Sequence, residues 1–166
     1  MNRLLILSLL FSVNITSAQV NDFPRSRPDD KGVPTKVFVS FYVIDIERID
    51  SKEQSFTLYI VIMLKWNDPI ITEVNGPIPL STIWQPNVQI YNLRNVDNRL
   101  PEDVRVLEDG MVQYTQRYYA TLTSHLDFKD FPLDVQLLPV SLLSFGFTPE
   151  EVDLVFESAG GEKKFS

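Results

Sequence analysis

Cysteine is absent from all 166 residues, and histidine occurs once, at His125. The first absence excludes disulfides, thiol nucleophiles and zinc–thiolate centres, so the folded chain must be held by its core alone. The second argues against a histidine-built metal site or a serine–histidine triad. No carboxylate pair at catalytic spacing, nucleophile elbow or metal-ligand cluster is legible, so neither an enzyme nor a cofactor is expected. Positive charge is scarce as well: 15 Lys and Arg against 22 Asp and Glu give a net charge of −7. That balance argues against nucleic acid as a partner. Long apolar runs are missing after residue 18, where nothing approaches the roughly 20 apolar residues of a membrane-spanning helix.

What is present begins with an export signal. Arg3 is followed by an apolar run over 4–13 and by Thr16-Ser17-Ala18, a small-x-small cleavage site. Residues 1–18 are therefore expected to be a signal peptide, and the chain to be exported. Residues 19–35 carry Pro24, Pro28 and Pro34 with Asp29, Asp30 and Gly32, and read as a leader without helical or strand period. Residues 36–166 read as one domain.

Period-two alternation dominates that domain. A first strand is expected over 37–46, with the turn at 49–54. A second, over 56–66, places Phe56, Leu58, Ile60, Ile62, Leu64 and Trp66 on a core face and Tyr59, Val61 and Met63 on the other. Pro77 and Pro79 break the middle. Short strands follow at 88–91 and 104–107. Asp109-Gly110 then signals a hairpin into a long strand over 111–126, with Val112, Tyr114, Gln116, Tyr118, Ala120 and Leu122 on one face. Two more strands are expected at 135–143 and 152–156. Several strands, turn signals and no helix describe an all-β, antiparallel immunoglobulin-like β-sandwich.

Within this frame lies Phe131-Pro132-Leu133-Asp134-Val135-Gln136, a Pro-containing bend that mixes apolar rings with carboxylates. It resembles the signature loop of the pentameric ligand-gated ion channels, the Cys-loop receptor superfamily. Trp66-Asn67-Asp68-Pro69, Ile83-Trp84-Gln85-Pro86-Asn87, Asp109-Gly110 and Ser144-Phe145-Gly146-Phe147-Thr148 resemble further family motifs in the family's order, the first especially those of the anionic glycine and GABA receptors and the last that of glycine receptors. Asn87 stands where the family's pattern has Asp. The two bridging cysteines of eukaryotic members fall at Ser124 and Leu138, a pattern similar to the prokaryotic branch, where packing of Phe131 and Pro132 takes the place of the covalent link. The resemblance implies an extracellular ligand-binding domain, with two final strands and the four membrane helices lying beyond residue 166. On this reading the chain is a fragment or a truncated homologue, and it meets a membrane only through those helices.

The resemblance also implies where a ligand would sit. In this family it lies between adjacent subunits of a pentamer, here expected to be a homo-pentamer, inside a box of aromatic rings that attract an ammonium group. On one side of the interface Tyr91 and Phe145, with Phe147 beside it, fall on the family's aromatic positions. On the other side fall Val61, flanked by Tyr59, and Met63, where anionic receptors carry an Arg. Arg117 is the candidate to grip a carboxylate in its place. The ligand expected is a small amine or an amino-acid-like molecule. Coupling to a pore would run through the bend at Phe131, Pro132 and Asp134 and the turn bearing Asp50 and Lys52. The competing reading is a secreted soluble binding protein of the same fold without a pore. Read from their residues alone, Tyr91, Phe145 and Phe147 are equally rings of a sandwich core or rim, and Arg117 a surface ion-pair partner.

Overall fold

The computed structural model describes residues 26–28, 32–71, 74, 76–129 and 135–161. Nine strands follow in order: β1 Thr35–Asp50, β2 Ser55–Asn67, β3 Ile78–Pro79, β4 Val88–Ile90, β5 Leu93–Asn98, β6 Asp103–Val106, β7 Met111–Thr123, β8 Leu142–Ser144 and β9 Val152–Gly161. Short 3₁₀ turns at Leu80–Thr82 and Glu108–Gly110 are the helical elements among the described residues. Seven strands form one sheet in the order β3-β6-β7-β2-β1-β9, with β5 also on β7; β4 and β8 form a second, two-stranded sheet.

The β2–β7 ladder is the spine of the domain. It runs without a register shift from Ser55 opposite Thr123 to Asn67 opposite Met111. Each residue of β2 with a branched or aromatic side chain at even number turns inward. Phe56, Leu58, Ile60, Ile62, Leu64 and Trp66 are buried together with Val112, Tyr114, Ala120 and Leu122. A one-residue slip would send this whole set into water, so the apolar pattern itself specifies the register. The second sheet closes the sandwich over that face, where Trp84 and Ile90 join the core and Val88 and Leu142 pack against it.

Four expectations change in detail. β1 extends to Asp50, four residues past the expected end at 46 and two into the turn expected over 49–54; two bulges, between Val43 and Asp45 and between Ile46 and Arg48, bend it on the way. β1 also pairs with β9 in parallel, one such pair in an otherwise antiparallel sheet. β5 lies where no strand was expected, because Leu-Arg-Asn-Val-Asp-Asn is exposed throughout and has no apolar period. Finally, the strand expected over 135–143 shrinks to Leu142–Ser144. Pro139 has no N–H to give a ladder. Side-chain amides hold this stretch instead: Asn92 Nδ2 donates to the carbonyls of Thr123 and Pro139 (2.9 Å each), and Asn92 Oδ1 accepts from the Ser141 N–H (3.1 Å).

Candidate functional site

Two outward faces carry the candidate residues, and the sandwich keeps them apart. On the small sheet, Ile90 points into the core, so its neighbour Tyr91 points out and is 74% exposed. The Tyr91 N–H donates to Ser141 O (2.7 Å), and the Phe145 N–H donates to Asn87 O (2.9 Å). Asn87 takes a left-handed conformation (φ 49) and its side-chain Nδ2 donates to Phe145 O (2.9 Å), which fixes the backbone beneath this ring. Phe145 is 62% exposed on the same outer face as Tyr91. The rings stand at opposite ends of the β4–β8 ladder, four residues or roughly 13 Å apart along the strand, with Gln89 and Leu143 between them. Among the described residues no ring pair joins them.

Phe147 is placed differently. It packs edge-on against Trp84 at 5.6 Å between centroids, and Trp84 in turn against Trp66 at 6.3 Å. This row of rings belongs to the core and positions Phe145 two residues earlier, rather than forming a surface with it.

On the opposite face of the large sheet, Tyr59, Val61 and Met63 alternate with the core residues of β2. Tyr59 stacks on Tyr119 of β7 at 4.7 Å. Arg117 lies over the Tyr59 ring at 5.9 Å and Arg99 over the Tyr119 ring at 5.8 Å; Arg99 also pairs with Asp97 at 2.8 Å. A hydrogen bond from the Tyr119 hydroxyl to Glu47 holds that phenol's pKa above its ordinary value. Val61 sits between Arg117 and Tyr42 on the neighbouring strands. Arg117 is thus committed to a ring stack, and Met63 lies two residues further along.

Met63 lines a groove of about 480 Å³ with Pro77, Leu100, Pro101, Asp103, Arg105, Gln113 and Thr115. The sequence reading missed Arg105 and Asp103. Arg105 on the exposed side of the expected strand 104–107, with Asp103 immediately before that strand, was the available signal. Neither has an ion-pair partner among the described residues. A guanidinium and a carboxylate held on one strand face, beside apolar walls, can bind a zwitterion or an amine. Among the described residues no group of three His, Asp or Glu could hold a metal ion.

The coupling candidates divide. Phe131, Pro132 and Asp134 lie outside the described residues. Asp50 begins the turn before β2: its Oδ1 accepts from the Glu53 N–H (3.0 Å), and that bond, with the Arg48 side chain, holds its carboxyl below the usual range. Lys52 is exposed in the same turn. The turn is fastened to the segment that leads into the bend. Gln54 Nε2 donates to Leu126 O (3.1 Å), Gln54 Oε1 accepts from the Leu126 N–H (2.7 Å), and the Ser124 N–H donates to Gln54 O (3.0 Å).

The two ends of the bend are also joined without a disulfide. Ser124 Oγ donates to Leu137 O (3.1 Å), beside the position where a second cysteine would stand. Gln136 brackets the Asp127 peptide, its Oε1 accepting from the N–H (3.2 Å) and its Nε2 donating to the carbonyl. Gln54 and Gln136 each replace a missing ladder partner with an amide.

A family model described as "Neurotransmitter-gated ion-channel ligand binding domain" matches residues 21–165. Glycine receptor subunit beta of Rattus norvegicus, of Mus musculus and of Homo sapiens is 28% identical over 149 residues in each case, covering 81% of this chain. The chain spans 30% of the length of these curated relatives. Among solved structures, the fold is similar to Biomphalaria glabrata acetylcholine-binding protein type 1 (TM-score 0.68, 20% identity, 81% of this chain and 69% of that one). It is similar also to the acetylcholine-binding protein of Bulinus truncatus (TM-score 0.66, 17% identity, 80% and 68%). An all-β sandwich of this topology, matched by the family model along most of its length, belongs to the neurotransmitter-gated ion-channel ligand-binding domain family.

Proposed function

We propose that this chain is the exported ligand-binding domain of a homo-pentameric ligand-gated channel, binding a small amine or amino-acid-like molecule between adjacent copies. The observation that carries the reading is the placement of the two half-sites. Exposed Tyr91 and Phe145 occupy the outer face of the small sheet, and the groove of Met63, Asp103 and Arg105 occupies the outer face of the large one. Half-sites on opposite faces of one sandwich cannot meet within a chain. They meet when one face of each copy docks on the other face of the next, a head-to-tail contact that closes into a ring. Rings on one copy would attract an ammonium, and Arg105 of the neighbour would take a carboxylate.

We base the coupling proposal on the amide fastening of the Asp50–Gln54 turn to Leu126; Phe131, Pro132 and Asp134, which lie outside the described residues, are its proposed contacts with the pore. Movement of the sandwich would be passed to both segments together. Binding of γ-aminobutyrate and of tetramethylammonium to the polypeptide that carries this domain tests the reading. Phe145→Ala should weaken both ligands, and Arg105→Ala only the carboxylate-bearing one, each by about tenfold, the scale of one good polar or cation–π contact. Unchanged affinity for both ligands in both variants, or a protein that stays monomeric at saturating ligand, refutes the interface site.

A further inference from the structure

The limb that leaves β7 and the limb that enters β8 lie side by side without a ladder. Among the described residues no backbone–backbone hydrogen bond joins 123–127 to 136–141. Side chains join them instead. Asn92 Nδ2 donates to Thr123 O and to Pro139 O, and Asn92 Oδ1 accepts from the Ser141 N–H. Ser124 Oγ donates to Leu137 O, and Gln136 brackets the Asp127 peptide. From the turn before β2, Gln54 brackets the adjoining Leu126 peptide. Every one of these links is made by a neutral amide or hydroxyl.

Such a seam is weaker than the ladders around it. A ladder bond orders backbone alone, whereas each link here also freezes a rotatable side chain, at a cost in entropy. No residue of 135–141 is fully buried; Leu138 and Val140 meet the core from half-buried positions, and Val135 and Leu137 are 90% and 82% exposed. Parting the limbs therefore gives up little apolar burial. Gln54 holds a left-handed backbone (φ 48), which a residue with a side chain keeps only while its surroundings over-determine it. Its carbonyl accepts from the Ser124 N–H (3.0 Å) and its side chain holds Leu126, so release of that limb lets this backbone relax. A region with few buried apolar contacts and exposed links opens locally, below global unfolding.

We propose that these links act as one conformational switch, an amide zipper whose limbs part and rejoin as a unit while the sandwich stays folded. Thr123, Ser124, Leu126 and Asp127 line one limb, and Gln136, Leu137, Pro139 and Ser141 the other. Loss of one link lengthens the free arc that the next must close, so each bond favours its neighbours. Closed, the zipper holds the limb entering β8 against Asn92 and against the limb fastened to the Asp50–Gln54 turn. Open, the limb at 136–141 is released from both, and Leu126 from the turn. The switch needs neither a ligand nor a second copy, and so goes beyond the function proposed above.

The test is native-state hydrogen exchange, read residue by residue by NMR, on the polypeptide that carries this domain. The reporters are the amides of Leu126, Asp127 and Ser141, which donate to Gln54, Gln136 and Asn92 respectively. They should exchange through one shared opening, faster than the amides at the centre of β2. Gln136→Glu keeps an acceptor for the Asp127 N–H but removes the donor to its carbonyl. It should speed exchange about tenfold, the loss of roughly one hydrogen bond, at all the reporters and not in β2. Ser124→Ala removes the bond to Leu137 O, leaves each reporter's own partner in place, and should have the same effect. Exchange raised only beside the substitution, in either variant, shows independent links and overturns the proposal. Reporters that exchange no faster than the centre of β2 overturn it as well.

Discussion

Gln116→Leu should destabilise the domain by about 2–4 kcal/mol. Gln116 is a polar residue with 0% exposure in the middle of the apolar face of β7. It sits where the edge of β7 changes partner: β6 pairs with Val112–Tyr114 and β5 with Tyr118–Leu122. Leu100, in the connection between those strands, has no ladder partner there. The Gln116 side chain supplies one, with Oε1 accepting from the Leu100 N–H (2.8 Å) and the Arg117 N–H (3.0 Å) and Nε2 donating to Leu100 O (3.0 Å). Leucine fills nearly the same space, so no large cavity term arises, but both Leu100 groups lose their partner. Each stranded group costs about 1–3 kcal/mol where it is buried, so the two sum to about 2–6 kcal/mol; Leu100 is 42% exposed, and rehydration of this open connection keeps the sum in the lower half, at about 2–4 kcal/mol. The effect reaches the groove as well, since Leu100 and Pro101 form its wall beside Met63 and Arg105. Urea denaturation should show a lower midpoint at unchanged m, and hydrogen exchange a loss of protection at the Leu100 amide. A stability within 0.5 kcal/mol of the parent, roughly the scatter of an ordinary surface change, with Leu100 still protected, would refute the argument.

Two further substitutions follow from the hairpin that closes β2 against β7. Gly110 has φ +70, and a Cβ there would lie 2.7 Å from the backbone oxygen of Asp68; Gly110→Ala should therefore cost about 2 kcal/mol or more, and an unshifted denaturation midpoint would contradict this. Asp68 is 2% exposed, and burial, only partly opposed by the Ile70 N–H (3.2 Å), raises its carboxyl pKa above 3.8. The folded state then binds this proton more tightly than the unfolded one, so the group's contribution is greatest at low pH and is lost as pH rises from 3.8 through the folded value. Asp68→Asn should flatten that part of the stability–pH profile and leave the variant at least as stable as the parent at pH 7; parallel profiles would show that burial is not what governs this carboxyl.

Much of the fold was legible because β2 and β7 bury one face completely. Alternation over 56–66 and 112–122 named the core residues, and the register followed from keeping them inside. β5 was not legible, since an edge strand exposed on both faces has no apolar signal to read; its ladder to β7 fixes it instead. The stretch 135–141 misled in the other direction. Val135 and Leu137 alternate like strand residues yet are exposed, because Pro139 and the Asn92 amide take the place of a ladder. The amide clamps of Gln54, Gln116 and Gln136 were invisible for a related reason: a glutamine acting as a backbone surrogate has the same sequence pattern as one facing solvent.

The candidate site shows where the limit lies. Alternation assigns Arg117, Arg105 and Met63 alike to outward faces, so parity alone gives either arginine an equal claim to the place beside Met63. What separates them is register across two ladders. Val61 lies opposite Arg117, Met63 opposite Thr115 and Gln113 opposite Arg105. Arg117 therefore falls toward Tyr59, whose ring it covers, while Arg105 reaches the groove from the next strand over. A position on a strand is a property of the sequence, but a neighbour across two strands is a property of the whole sheet. The proposed ligand contacts depend on the second, and the residues proposed to make them, Arg105 and Asp103, lie on a four-residue strand with too short a pattern to announce them.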